Sequence, residues 1–387
     1  MSTEARGSGS QSPSGRRAAK RDRTSILACL TLLAVPWVAP DGDYLRSARG
    51  LPRLDGELRR MQTHGYYEEL IDANRSAPST TAPAADAPPP GWVPFGASEV
   101  VDAVPGYIRW KLKPNLDVVW NGERFRTESR GYRTPEFAVP KPPDVYRILL
   151  FGSSNTMGHG VGDDDAYPRL LERWLNEAVE GPGRIEVVNL SVSGDSPSRR
   201  LARMHEEAAA LEPDWIWCDA TVLDPALEES HLETVARGDA PAPIPPHLDY
   251  VREALARAGV SPSDPPRVFR SKLQRQAESL LKGAYAGWAA FGRQLGTPMA
   301  VVVIPRADAK VENPAIVRIM REAIDREGLE ALDAGLAFDG LTAEEFRVSP
   351  WDKHPSVRGH RAIFEALRDA LRERGALPGG PALGRAP

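Results

Sequence analysis

Four short apolar runs alternate with helical segments in the second half of the chain, and this alternation restricts the fold more than any other feature. The apolar runs cover residues 146–151, 185–192, 215–222 and 299–304. Continuous apolar runs of this length are typical of parallel strands that are covered on both faces. Helices are predicted between and after them at residues 165–180, 198–211, 267–294 and 357–373. The pattern predicts an α/β protein, a three-layer α/β/α sandwich around a parallel sheet.

The first of these strands ends in small and polar residues, Gly152-Ser153-Ser154-Asn155-Thr156. In open α/β folds, ligands bind at the carboxyl ends of parallel strands. Ser154 is therefore a candidate nucleophile, held beside a helix N-terminus where backbone N–H groups favour an oxyanion. The alternative is structural, because serine is also a good helix cap.

An Asp/His pair lies two hundred residues later, in Trp351-Asp352-Lys353-His354-Pro355-Ser356. A residue before proline favours extended backbone, in which residues two apart project to the same side. Asp352 can then hold one ring nitrogen of His354 while the other faces Ser154. These three side chains match the Ser/His/Asp set of a serine hydrolase. In the alternative interpretation, His354 is only a turn histidine at the start of the last helix. His360, six residues later, is interpreted as structural.

Residues 146–372 resemble the SGNH (GDSL-type) hydrolases, in their membrane-associated or exported branch. The family's first block, usually Gly-Asp-Ser followed by a small polar stretch, matches the run from Gly152-Ser153-Ser154 to Val161, and its second block matches Asn189-Leu190-Ser191-Val192-Ser193-Gly194. The last block matches Asp352 and His354-Pro355. The resemblance implies a flavodoxin-like parallel sheet and a triad of Ser154, His354 and Asp352. It also implies an oxyanion hole that includes Ser154 and Gly194.

The chain departs from the family pattern at three places. Ser153 replaces the usual Asp, and Asp352 precedes His354 by two residues where three are commoner. The third block is normally Gly-x-Asn-Asp, and its Asn donates to the oxyanion. Asp224 best fits that Asn position, and an ionised carboxylate there would repel the oxyanion. Losing one such donor costs about 10²–10³ in rate. We therefore expect that burial keeps Asp224 protonated and able to donate, that the enzyme is slow, or that another residue serves.

These features predict an ester hydrolase that forms an acyl-serine intermediate. An O-acyltransferase with the same triad stays open, because only the acceptor differs between water and a sugar hydroxyl. A degenerate, non-catalytic module that binds acylated glycans is a further alternative, motivated by the altered third block. Nucleotide binding through Gly158, Gly160 and Gly162 is disfavoured, because the Rossmann spacing is missing. No cofactor or metal is expected, and the net charge of −4 disfavours nucleic acid as a partner.

The remaining segments predict how the chain is organised. A basic, disordered N-terminus (1–24) precedes an uncharged apolar stretch (25–40), which predicts a signal anchor or signal peptide. A stalk and Pro/Ala-rich linker (41–90) and a small β-rich accessory segment (91–141) lead into the hydrolase domain (146–372). A disordered tail (373–387) follows.

Basic residues are concentrated directly on the N-terminal side of the apolar stretch, at Arg16, Arg17, Lys20, Arg21 and Arg23, which predicts an exported catalytic domain. We expect it to be anchored in the membrane by the N-terminal segment, or secreted if that segment is cleaved. The expected substrate is a small acyl ester or an acylated glycan or lipid of the cell envelope.

Overall fold

Two small antiparallel hairpins come first in the part of the chain that the structure, a computed structural model, describes. That part comprises residues 88–179, 183–237, 243–305 and 314–384. In the first hairpin, β1 (Val101–Ala103) pairs with β2 (Trp110–Leu112), and in the second, β3 (Asp117–Trp120) pairs with β4 (Glu123–Arg126). Both lie within the segment for which the sequence predicts β structure.

A five-stranded parallel sheet follows, and it confirms the predicted fold class. Its strands are β5 (Val145–Phe151), β6 (Arg184–Asn189), β7 (Trp215–Ala220), β8 (Met299–Val303) and β9 (Glu330–Asp333). They lie in the order β6-β5-β7-β8-β9, which is the flavodoxin-like order. Each of the four predicted strands is present. The edge strand β9 was not predicted, because Leu332 is its only buried residue.

Helices cover both faces of this sheet. They are α1 (Ser154–Met157), α2 (Tyr167–Ala178), α3 (Pro197–Glu207), α4 (Asp224–Arg237), α5 (Asp249–Ala258), α6 (Pro266–Gln274), α7 (Ala277–Leu295), α8 (Pro314–Glu327), α9 (Ala343–Phe346) and α10 (Val357–Arg374). The single helix predicted at 267–294 is wrong. The chain leaves helical geometry at Gln276, where φ is −103° and ψ is 1°, so α6 and α7 are separate helices.

The core has one cluster on each side of the sheet, as a three-layer sandwich requires. Leu149 and Phe151 of β5 face one cluster, whereas Ile148 and Leu150 face the other. Every one of these four side chains is at least 99% buried. This alternation follows from the pleat of a strand that is covered on both faces, and it fixes where β5 ends and the turn to Ser154 begins.

A third apolar cluster joins the two hairpins to the edge of the sheet where β5 and β6 end. Phe95, Trp120 and Phe125 of the hairpin region pack with Met157 of α1 and with Val192 after β6. The hairpins therefore cover the turn that carries Ser154.

The predicted signal anchor or signal peptide, residues 25–40, lies outside the described residues. Within the ranges that the structure covers, we find no helix with both the length and the apolar character needed to cross a bilayer.

Candidate active site

Ser154 begins α1 directly after the turn that ends β5. The residue at the N-cap position is Ser153, so Ser154 does not serve as the helix cap. Asp219, next to the end of β7, accepts hydrogen bonds from the backbone N–H of Ser153 (2.9 Å) and from Oγ1 of Thr156 (2.5 Å). Glycine is needed at position 152, because a Cβ there would collide with Asp219 and Thr156. Asp219 therefore fixes the turn on both sides of Ser154.

Gly194 lies in the loop after β6, next to the same turn. The backbone N–H of Val192 in this loop donates to the carbonyl oxygen of Gly152 over 3.2 Å. Gly194 has a φ of 78°, in the left-handed region that favours glycine. The helix α1 is a single turn, so its dipole is small, and an oxyanion here would depend on individual N–H groups.

Asp352 and His354 form a tight hydrogen-bonded pair before α10. Oδ1 of Asp352 lies 2.6 Å from Nδ1 of His354 and accepts the backbone N–H of His354 over 3.0 Å. The segment is held from outside by Val348, whose N–H donates to the carbonyl oxygen of His354 over 2.9 Å. A spacing of two residues is therefore sufficient to pair the carboxylate with the imidazole.

His159 joins this pair to the Ser154 turn. Its backbone N–H donates to the carbonyl oxygen of Ser154 over 3.0 Å. Its ring stacks on the ring of His354 with centroids 3.9 Å apart, and its Nε2 lies 3.3 Å from Oδ2 of Asp352. The structure thus brings the Ser154 turn and the Asp352/His354 segment together, although Ser154 and Asp352 are 198 residues apart in the sequence. Ser154, His354 and Asp352 are each at least 97% buried.

The electrostatics of the pair favour a neutral imidazole and an ionised carboxylate. Burial is the main cause that lowers the pKa of His354 to about 4; His159 adds to the effect and Asp352 opposes it. Burial opposes ionisation of Asp352, but His354 and His159 together hold its pKa well below the usual range. A neutral His354 is the form that can accept a proton.

Asp224, the predicted oxyanion donor, is engaged elsewhere. It begins α4 and is fully buried, and its Oδ1 accepts a hydrogen bond from Arg200 over 2.8 Å. Its Oδ2 accepts the backbone N–H of Thr221 over 3.2 Å. Burial raises its pKa to about 6, against the effect of Arg200. At neutral pH the carboxylate is therefore an acceptor, and its donor role stays a prediction that these contacts do not favour.

If Asp224 is instead the last residue of the Gly-x-Asn-Asp block, the alignment shifts by one residue and places Leu223 at the Asn position. Leu223 is buried and carries no side-chain donor. The side chain expected from the third block of an oxyanion hole is then apolar in this chain.

Three further residues shape the site and are not among those predicted from the sequence: His159, Asp219 and Arg199. His159 stands inside the first block, between Gly158 and Gly160, and that position was its only signal. Asp219 was hidden inside a strand that was predicted from its apolar residues. Arg199 donates to the carbonyl oxygens of Gly194 (3.0 Å) and Ile108 (2.9 Å).

Among the residues that the structure describes, His159, Asp352 and His354 form a group that could hold a metal ion. Their possible ligand atoms lie within 4.8 Å of one another. However, Nδ1 of His354 and Oδ1 of Asp352 already face each other across 2.6 Å, and the two rings are stacked. The geometry is better explained as a hydrogen-bonded network.

Comparisons with known proteins identify the family. Residues 150–362 match the model of the GDSL-like Lipase/Acylhydrolase family. No curated protein matches the chain. Among solved structures, the chain is similar to LAE5, an alpha/beta hydrolase enzyme from the metagenome of Lake Arreo in Spain, with 17% identity, a TM-score of 0.40, and coverage of 59% of this chain and 95% of that chain. It is also similar to Axe2, an acetylxylan esterase from Geobacillus stearothermophilus, with 18% identity, a TM-score of 0.37, and coverage of 60% and 95%.

Proposed function

This chain belongs to the GDSL-like lipase/acylhydrolase family and is a carboxylic ester hydrolase, and from that premise we propose that it cleaves its ester through an acyl-serine intermediate on Ser154. His354 takes the proton of the Ser154 hydroxyl as the oxygen attacks the ester carbonyl. It returns this proton to the leaving alcohol as the acyl–oxygen bond breaks. Water then attacks the acyl-serine and gives a proton to His354; the bond between the acyl carbon and Oγ of Ser154 breaks, the free acid leaves, and His354 returns the proton to Ser154.

The observation that carries the proposal is the Asp352–His354 pair, in which Oδ1 and Nδ1 are 2.6 Å apart. The ring of His354 also stacks on His159, which follows the Ser154 turn. Asp352 selects the tautomer with the proton on Nδ1 and stabilises the imidazolium that forms. The N–H groups of Ser154 and Gly194 supply the oxyanion hole, and with Leu223 at the third position we expect a slow enzyme.

A second candidate activity is acyl transfer to an alcohol. Burial of Ser154 and His354, which are 1% and 2% exposed, favours it, because a site that excludes bulk water protects the acyl-serine from hydrolysis. Adding a polyol acceptor to the reaction separates the two: transfer yields a new ester, and hydrolysis yields the free acid only.

The substrate class that we propose is an acylated glycan or lipid of the cell envelope. The support is the sequence of the N-terminal region, where basic residues are denser before the apolar stretch than after it: the ten residues before it include Arg16, Arg17, Lys20, Arg21 and Arg23, and the ten after it include Arg46 and Arg49. A reporter that is active only outside the cytoplasm, fused after residue 90, should be active. A silent fusion together with an active cytoplasmic reporter at the same point would reverse this topology.

The central test uses the full-length protein with a fluorophosphonate probe and a series of nitrophenyl esters of increasing chain length. Ser154 should carry the label, and Ser154→Ala should lose both labelling and hydrolysis. Ser153→Ala is the matched control, because the neighbouring hydroxyl makes no capping hydrogen bond. Retention of full esterase activity in Ser154→Ala would refute the assignment, and absence of any labelling in the native protein would favour a non-catalytic module.

A further inference from the structure

Asp352 is shared by two imidazoles, of which the proposed mechanism uses only one. Oδ1 of Asp352 faces both the backbone N–H and Nδ1 of His354. Oδ2 is reached instead by Nε2 of His159, across 3.3 Å. Nδ1 of His159 has no hydrogen-bond partner within the described part of the chain. The polar contact of this ring is therefore directed at the carboxylate.

His159 occupies a place where a donor is needed. Asp352 is 3% exposed, and a buried carboxylate oxygen without a partner is costly. With Oδ1 alone engaged, the carboxylate could rotate about its Cβ–Cγ bond and carry the His354 ring with it. A second donor on Oδ2 fixes the carboxylate plane, and stacking of the two rings at 23° fixes the plane of His354. Trp120 packs edge-on against His159, with centroids 4.7 Å apart, and closes the other side.

We propose that His159 is a positioning residue for the catalytic base: it holds Oδ2 of Asp352 by a hydrogen bond and so orients His354 towards Ser154. This inference rests on the proposed function of the triad. Its backbone bond to the carbonyl oxygen of Ser154 couples the nucleophile turn to the same carboxylate. One residue thereby connects the two ends of the domain at the point of reaction.

Within the described part of the chain, Asp352 from its own segment and His159 from the Ser154 turn act on the charge of His354, and His354 in turn acts on His360 of α10. A donor on Oδ2 withdraws negative charge from Asp352 and makes the imidazolium of His354 less favourable. Removing that donor should therefore raise the pKa of His354. The acid limb of kcat/KM would then move to higher pH. In a variant that keeps a ring at position 159 this shift reports the lost donor, because the ring still covers His354 from water.

Three substitutions separate the donor from the ring. His159→Gln keeps a donor near Nε2 and removes the ring, and His159→Phe keeps a ring and removes the donor. His159→Ala removes both. We expect His159→Phe to lower kcat by about 10- to 100-fold, the effect of removing one partner of a buried charged hydrogen bond, with KM little changed and the acid limb at higher pH. His159→Gln should retain most of kcat and the native pH profile.

His247→Phe is the matched control. His247 stacks on His205 with centroids 3.8 Å apart, so it repeats the ring contact away from Ser154; it should leave kcat and the pH profile unchanged. Thermal melting of each variant identifies loss of folding, and the Gln variant keeps the test informative if His159→Ala does not fold. Dialysis against EDTA should leave kcat unchanged.

The proposal is overturned if His159→Phe matches the native enzyme in kcat and acid limb, or if EDTA abolishes activity and zinc restores it. Its failure differs from failure of the proposed function. If only the role of His159 is wrong, Ser154 still carries the fluorophosphonate label and Ser154→Ala is inactive. If the proposed function is wrong, Ser154→Ala remains active whatever residue stands at position 159.

Discussion

Arg199 donates a hydrogen bond to the carbonyl oxygen of Gly194 over 3.0 Å, and the same guanidinium donates to the carbonyl oxygen of Ile108 over 2.9 Å. Gly194 is the predicted oxyanion glycine, and Ile108 lies in the loop of the first hairpin. A held carbonyl fixes the plane of the Gly194–Asp195 peptide and so restricts rotation about the backbone bonds of Gly194, whose own N–H lies in the preceding peptide. The accessory hairpin therefore helps to set the geometry of the oxyanion loop.

Replacing Arg199 should impair catalysis more than its effect on folding explains. Arg199→Met removes the hydrogen bond to Gly194, and we expect kcat to fall by roughly 10-fold or more, within the range for a lost oxyanion contribution. Lys111→Met is the control, because Lys111 of β2 pairs with Glu207 of α3, the helix of Arg199, across 3.1 Å and so also ties the first hairpin to that helix. Both variants should lower the melting temperature. Equal kcat in the two variants would show that Arg199 only tethers the hairpin.

Asp219 should matter for stability and for the nucleophile turn at once. Its Oδ2 accepts from Ser153 and Thr156, and its Oδ1 lies 3.0 Å from the buried Arg200. Asp219→Asn weakens the hydrogen bonds to Ser153 and Thr156 but leaves Arg200 paired with Asp224, so we expect the free energy of unfolding to fall by about 1–3 kcal/mol. Thr156→Val removes only the hydroxyl and should cost less. Urea unfolding and kcat at saturating substrate measure both effects; unchanged stability in Asp219→Asn would contradict the network.

The activity should persist into acidic solution. The general base must be neutral, and burial lowers the pKa of His354 to about 4. kcat/KM should therefore be lost as pH falls through about 4. The protonation of His354 should cause no further change in kcat/KM between that pH and neutral pH. A pH series with a short-chain nitrophenyl ester measures the limb. An acid limb near 6.5, the ordinary histidine value, would mean that the base is exposed to water in the working enzyme.

Stability should follow pH in a lower window. The Nδ1 of His360 accepts the backbone N–H of Tyr167 over 3.2 Å, and burial lowers its pKa to about 3. Below pH 6.5 the unfolded chain binds a proton there that the folded chain excludes. As the pH is lowered from 6.5 to about 3, the free energy of unfolding should therefore decrease by about 1.4 kcal/mol per pH unit for this group.

The variant His360→Asn tests that assignment, because its Oδ1 can still accept from Tyr167 and does not titrate. Urea unfolding of both proteins at several pH values should give a shallower slope for the variant. An identical slope would place the acid sensitivity in other buried histidines, such as His231.

The sequence predicts those parts of the molecule that have a local pattern. β5, the serine at its end and the extended Asp352-Lys353-His354 segment are recognisable from neighbouring residues alone. α4 was not predicted, because it buries polar side chains such as Glu228 and His231, which break the apolar periodicity. The split between α6 and α7 has no proline or glycine to mark it.

The contacts that complete the site join residues distant in the chain, and a single sequence does not report such pairs. His159 and Asp352 are separated by 193 residues, and the Asp219–Arg200–Asp224 network joins a strand end to two helices. This network also changes the reading of the third block. In sequence, Asp224 resembles the Asn that donates to the oxyanion. In the structure it accepts a hydrogen bond from Arg200 over 2.8 Å and therefore has a structural role.

Substitutions at Leu223 and Asp224 should therefore have opposite effects. If Asp224 is the last residue of the block, Leu223 stands where the amide donor belongs, and Leu223→Asn should raise kcat, by up to about 10²-fold if the amide reaches the oxyanion. Asp224→Asn should instead weaken the pair with Arg200 and lower stability without raising kcat. Nitrophenyl ester hydrolysis and urea unfolding of both variants decide the matter. A faster Asp224→Asn enzyme with an activity range extended to alkaline pH would restore Asp224 to the oxyanion hole and show that the shift by one residue is wrong.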